Sequence, residues 1–466
     1  MLTAAGTVAA FGSIYAAHAL YGFIGPALAF VALGLAAVAT MFAAALHGPM
    51  LAGIGLAAAM AVPLLVNSNS NSAWPVVIYI AVVAAAAYGL ARLRQWLWLA
   101  TAAAAGAGAW AIAFLLAIDT PNGTVIYHAA LVHLVVQAAM ALVILAWEPY
   151  RDSSDNDRPE FIPSVLAAGV AALALVVLST ASGRELSVLW PVASAIITAL
   201  LAWCAVTRAA SILAIVAAAI TVVGTLLVWP WATDVAGHAA PFEFTARGVL
   251  EKPLLPASFL TFAILVTALT AAAAMWKVFR GAHLNVLTTS IFAGTAVLLP
   301  LLALLAVYLR YAADGYDMLF AAIVLVLALA FATCAQVFRR GLQDKQPLAW
   351  DLGQGISASA AIAALVIGLT LAFDGGTLTI ALALSALGAA FVAVRLDIAA
   401  LRWCVAGLGL VLALRFVWDP GIAPDISRTP VFNWLLPGYG IPAACFAASA
   451  WLMRRTFGED KPVRIA

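Results

Sequence analysis

Apolar runs of about 20 residues follow one another along almost the whole chain, and a run of that length lets an α-helix cross a hydrocarbon core about 30 Å thick. The runs fall at 3–22, 26–46, 49–66, 74–91, 96–117, 124–147, 161–181, 186–207, 209–230, 257–276, 284–307, 317–338, 352–373, 377–394, 399–418 and 434–453. Turn formers or charges break them: Gly25-Pro26, His47-Gly48-Pro49, the polar stretch Asn67 to Ser72, Pro121-Asn122-Gly123, Asp374-Gly375-Gly376 and Asp419-Pro420. The pattern predicts an all-α, polytopic transmembrane helical bundle of about sixteen spans. It reads as a single integral membrane domain over 1–466, with 231–256 as the longest extracytoplasmic connection.

Composition sharpens this picture. Hydrophobic residues make up 66% and charged residues 9% of the chain, against about 45–50% and about 25% in soluble domains. The lipid bilayer is therefore the obligatory partner. A net charge of +2 offers no basic face for phosphate contacts and argues against a nucleic-acid partner. Lys and Arg are retained on the cytoplasmic side of short loops. With alternating spans, sixteen of the 22 fall on one side, including Arg92, Arg94, Arg151, Arg208, Lys277, Arg280, Arg339, Arg340, Arg395, Arg454 and Arg455. Five, Arg184, Arg247, Lys252, Arg310 and Arg428, fall on the other, and Arg415 sits within a span. This bias predicts that both termini are cytoplasmic. The basic markers recur about every 60 residues, either from duplicated helical hairpins or because two spans with their loops have that length. Cys204, Cys334, Cys404 and Cys445 all lie in apolar stretches without CxxC spacing and read as small buried hydrophobes. The first residues lack the basic segment of a signal peptide, so the first run reads as a mature span.

Several short motifs carry a resemblance. Tyr21-Gly22-Phe23, His47-Gly48-Pro49 leading to Pro63-Leu64-Leu65, Leu414-Arg415-Phe416, and Asn433 to Pro442 with Gly438-Tyr439-Gly440-Ile441-Pro442 together resemble the bacterial DUF2339 predicted membrane proteins. Members are usually longer, often with a cytoplasmic coiled-coil segment and further spans ahead of the part matched, so this chain looks shorter at its N-terminus. The resemblance implies a bacterial inner-membrane location and a many-helix fold. It supplies no catalytic residues, because the family's function is unknown.

Ionisable groups inside a bilayer cost about 2.5–3.5 kcal/mol at a helix centre, so the few present are candidates for function. Arg415 lies one turn before Asp419 on the same helical face. It either snorkels to the interface or presents its guanidinium to phosphate or carboxylate in an outward cavity. Arg310 and Asp314 repeat the arrangement at the outer end of the eleventh span. In the sixth span, His133 and Gln137 share a face, whereas His128 and His133 point about 140° apart and do not readily ligate one metal from one straight helix. These polar groups read either as satisfied interhelical contacts or as a proton relay and substrate site. Tyr15 and His18 near the outer end of the first span pose the same choice. Asp351, Gln354 and Ser357, and Asn285 with Thr288 and Thr289, open two cytoplasmic helix starts and read as caps and interhelical contacts. Pro63, Pro191, Pro300 and Pro442 are candidate bends.

No P-loop, dinucleotide fingerprint, GxSxG, CxxCH or paired metal motif occurs, so no metal, cofactor or catalytic residue is assigned. Three functions are expected, in order. The first is a transporter or flippase-like protein for an envelope-related amphiphile or small anion, with Arg310, Arg415 and Asp419 near the outer ends of the spans and His18, His133 and Gln137 supplying hydrogen bonds. The second is a non-catalytic membrane scaffold with protein partners. The third is a membrane-embedded transferase.

Overall fold

The computed structural model describes residues 2–66, 72–118, 122–146, 161–180, 189–208, 211–229, 257–281, 283–311, 318–341, 348–373, 375–418 and 435–457. Their regular structure is entirely helical, the form that meets every backbone hydrogen bond within one segment in lipid. Helix α1 (Leu2–Tyr15) runs on into a π-helical turn, Ala16–Leu20. It is followed by α2 (Pro26–His47), α3 (Pro49–Leu65), α4 (Trp74–Arg94), α5 (Leu97–Leu116), α6 (Gly123–Ala146), α7 (Phe161–Ser179), α8 (Leu189–Thr207) and α9 (Ala214–Val228). The remainder are α10 (Ala257–Arg280), α11 (Val286–Tyr311), α12 (Met318–Gly341), α13 (Leu348–Ala372), α14 (Gly375–Leu396), α15 (Ala399–Trp418) and α16 (Leu435–Phe457).

Local chemistry places the breaks. Pro26 and Pro49 open α2 and α3, where a missing N–H costs nothing. Gly48 joins the two helices at φ 109°, a conformation open to glycine. Among the described residues, twelve helices are long and apolar enough to cross a membrane, namely α2, α4 to α8 and α10 to α15. Helix α3 has 17 residues and α9 has 15, and α16 begins with the polar, turn-prone sequence Pro437 to Gly440. The ninth apolar run starts later than its hydropathy predicts, because Ser211 N–H donates to the Arg208 carbonyl in a turn ahead of α9.

The chain forms two compact units: Met1–Gly248 with Pro256–Val266, and Val249–Leu255 with Thr267–Ala466. In the first, α2, α4, α6 and α8 run in one direction and stand side by side. The Tyr79 ring of α4 lies against Phe30 of α2 at 4.7 Å and over Gly34. Val77 of α4 clusters with Ala129 and Ala130 of α6, and further down Tyr88 clusters with Ala141. Tyr127 at the start of α6 and Trp190 at the start of α8 both donate to carbonyls ending α7, those of Val177 and Leu178. At their far ends, Cys204 of α8 meets the Leu142 carbonyl of α6. Trp190 packs edge-on to Trp229 at 4.7 Å, and Trp229 in turn meets Phe259 at 5.2 Å and Phe262 at 5.5 Å.

In the second unit, α12 and α13 form an antiparallel hairpin in which Phe338 lies over Gly353 and Leu325 over Gly368. Phe338 also stacks on Phe279 of α10 at 4.1 Å. Helix α13 also packs against α11 and α15, with Gly355 facing Ala400 of α15. Asp397, at φ 51° between α14 and α15, pairs with Arg402 at 2.9 Å. The Arg402 guanidinium lies 3.5 Å from the Phe457 ring centroid, so it joins the ends of three helices.

Candidate functional site

The most polar layer of the first unit crosses the middle of its parallel helices. On α6, the buried His133 ring hydrogen-bonds the Ala107 carbonyl of α5 at 2.9 Å through Nε2 and meets the Phe114 ring edge-on at 5.4 Å. A carbonyl only accepts, so Nε2 carries the proton and Nδ1 presents a lone pair. That lone pair has no partner, and neither does the nitrogen or the oxygen of the Gln137 carboxamide one turn further on. His133 is 1% and Gln137 8% exposed, so water does not reach either side chain from outside.

Neighbouring helices extend the layer at the same height. The α6–α8 alignment fixed by Tyr127, Trp190 and Cys204 brings Ser194 and Thr198 level with His133 and Gln137. Ser194 bonds Thr225 of α9 at 2.7 Å, while the Thr198 hydroxyl has no partner. On α4, Tyr88 lies level with Ala141, one turn beyond Gln137, and its hydroxyl is likewise unmet. On α2, Thr40 bonds its own Ala36 carbonyl at 2.7 Å and reaches Thr7 of α1. Each unmet buried group costs about 1–3 kcal/mol, so three or four in one layer is a concentrated deficit. Within the stated bounds of α1 to α9 the only charged residues are Arg92 and Arg94, in the last turn of α4. Only His133 and Gln137 of this layer stood out in the sequence. Tyr88 and Thr198 are single polar residues in Ala-rich helices and carry no periodic signal.

The other expected site residues are distributed. His18 lies in the π-helical turn, and its Nδ1–H donates to the Ile24 carbonyl at 3.0 Å, closing the connection into α2. Arg310 is half-buried in the last turn of α11. Arg415, in the last turn of α15, directs Nε to Thr379 Oγ1 of α14 at 3.4 Å. Both arginines lie in the last turns of their helices in the second unit. Asp419, Asp314 and the connection 231–256 lie outside the described residues. Asn285 caps α11, its Oδ1 accepting from Thr288 N–H at 2.8 Å. Among the described residues, no three His, Cys, Asp or Glu side chains gather as a metal would require.

A groove of about 370 Å³ opens on the outer side of the α4–α6 seam, lined only by apolar residues, among them Trp74, Ile78, Val82, Val132 and Val136. With Ile78 and Val82 more than half exposed, it faces the surroundings of the unit.

These features define a polytopic helical membrane protein, its apolar faces turned to lipid and its polar groups inward. Residues 1–251 match the family described as Predicted membrane protein (DUF2339), and the chain belongs to that family. The matched region corresponds closely to the first compact unit, whereas the motifs at 414–442 fall beyond it. No curated protein and no solved structure matches the chain.

Proposed function

We propose that this protein is a transporter or flippase-like protein of the bacterial inner membrane, and that its first unit holds the point where a polar molecule passes mid-membrane. The observation that carries this reading is the unmet hydrogen-bonding capacity of the buried His133 Nδ1 and Gln137 carboxamide. An ionisable residue is costly to hold inside a membrane and marks a candidate substrate path or relay. In this reading all sixteen helices cross, with both termini cytoplasmic. The described Lys and Arg side chains in final helix turns agree: they close α4, α10, α12, α14 and α16, against Arg310 and Arg415 alone on odd-numbered helices.

The test is solute entry into liposomes containing the purified protein, followed by light scattering with glycerol, urea and phosphate. His133→Leu combined with Gln137→Leu should abolish protein-dependent entry while the protein stays folded, and undiminished entry refutes the assignment. Arg310 and Arg415 lie in the second unit, so Arg310→Gln with Arg415→Gln is expected to leave glycerol and urea entry unchanged.

The apolar α4–α6 groove favours a second reading, a scaffold that seats a partner's transmembrane helix. It predicts that a defined membrane partner co-purifies and is lost on Ala81→Trp, with no solute entry in any variant.

A further inference from the structure

We infer that the His133–Gln137 site binds a small neutral molecule carrying neighbouring hydrogen-bond donors and acceptors, a hydroxyl or amide compound, and rejects anions. The proposal rests on the transport reading for where the molecule goes, but not for whether it binds.

The protein's side of the contact is fixed by the backbone. Because Nε2–H is committed to the Ala107 carbonyl at 2.9 Å, the neutral ring offers only an acceptor, Nδ1, and calls for a donor. Gln137 lies at i+4 on the same face of α6 and offers both an acceptor oxygen and two N–H donors, all unmet. A complementary ligand donates to Nδ1 and exchanges a donor and an acceptor with the carboxamide, as adjacent hydroxyls or an amide do. Thr198, on α8, adds an unmet hydroxyl at the same height, and Tyr88, on α4, another one turn beyond Gln137; a hydroxyl both donates and accepts.

Charge is excluded by what surrounds the site. The helices α1 to α9 hold no acidic residue, and their only basic ones, Arg92 and Arg94, lie at the very end of α4. An anion here would lose its hydration without gaining a counter-ion, a far larger penalty than a buried hydroxyl suffers. Phe114, edge-on to the imidazole, also keeps the ring in an apolar setting. The alternative occupant is ordered water, which fills polar gaps of this kind in many proteins.

The ¹⁵N resonance of His133 Nδ1, identified by its disappearance in His133→Phe, separates these cases in protein reconstituted into lipid nanodiscs. Titration with glycerol or urea should shift it saturably, and phosphate at the same concentrations should not. Gln137→Leu should weaken the apparent affinity about tenfold, as the loss of one or two hydrogen bonds implies, with Gln137→Asn falling between. Resident water alone would leave the signal indifferent to both neutral solutes and overturn the proposal, as would a saturable response to phosphate. A normal shift without solute entry into liposomes would uphold this site and reject transport.

Discussion

Replacing Trp190 with alanine is expected to cost about 3–5 kcal/mol of unfolding free energy, the range for removing a large buried aromatic side chain. Trp190 is 1% exposed. Its indole N–H donates to the Leu178 carbonyl at 3.1 Å, and its ring meets Trp229 edge-on at 4.7 Å. Alanine leaves a cavity, an orphaned carbonyl and a Trp229 ring with one face bare. Lipid tails are as apolar as the side chain, so the loss is one of packing and hydrogen bonding rather than of hydrophobic burial. Phenylalanine separates the two contributions: it keeps a ring against Trp229 and should cost about 1 kcal/mol, the net worth of the hydrogen bond. Detergent-titrated unfolding followed by circular dichroism measures both, and a cost for alanine no greater than that for phenylalanine would contradict this account.

Gly34→Leu is expected to be nearly as damaging. A Cβ built on Gly34 would stand 2.6 Å from the Tyr79 ring, and leucine adds three more carbons in the same direction. Tyr79 has little freedom to yield, since its hydroxyl donates to the Ala59 carbonyl of α3 at 2.9 Å and its ring packs on Phe30. Overpacking of this kind costs about 1–3 kcal/mol, and displacing the ring loses about 0.5–1.5 kcal/mol more with the hydrogen bond. Removing the obstruction is the control. In a Tyr79→Ala background the same leucine should cost much less, and equal costs in both backgrounds would place the damage elsewhere.

The helices were legible because hydrocarbon thickness fixes their length and because Gly48-Pro49 and similar breaks have few conformational options. Asn285 was legible as a cap for a similar local reason. The site was legible only where ionisable or amide side chains interrupt apolar sequence, at His133 and Gln137. Tyr88 and Thr198 join that layer through the alignment of α4, α6 and α8, which depends on contacts such as Tyr127 with Val177 that no local pattern encodes. His18 shows the converse. It stood out with Tyr15 near the outer end of the first span, but its bond to the Ile24 carbonyl, made from the π-helical turn, had no signal in the sequence. Arg415 was legible as a charge within a span, whereas its contact with Thr379 comes from a helix that is distant in sequence; Asp419 lies outside the described residues.

Helices α3 and α9, both in the first unit, have a consequence for the choice of lipid. With 17 and 15 residues, they reach about 26 and 22 Å at 1.5 Å per residue, short of a typical 30 Å hydrocarbon layer. Helices α11 and α13, in the second unit, have 26 and 25 residues and extend to about 39 and 38 Å. If all sixteen helices cross, as proposed, a bilayer next to the short ones must thin, while the long ones are accommodated by tilting or local thickening, each at a fraction of a kcal/mol per Å. The two units therefore prefer different acyl-chain lengths. Membrane thickness then acts on the polar layer of the first unit, with thinner bilayers shortening the distance from His133 to water on either side.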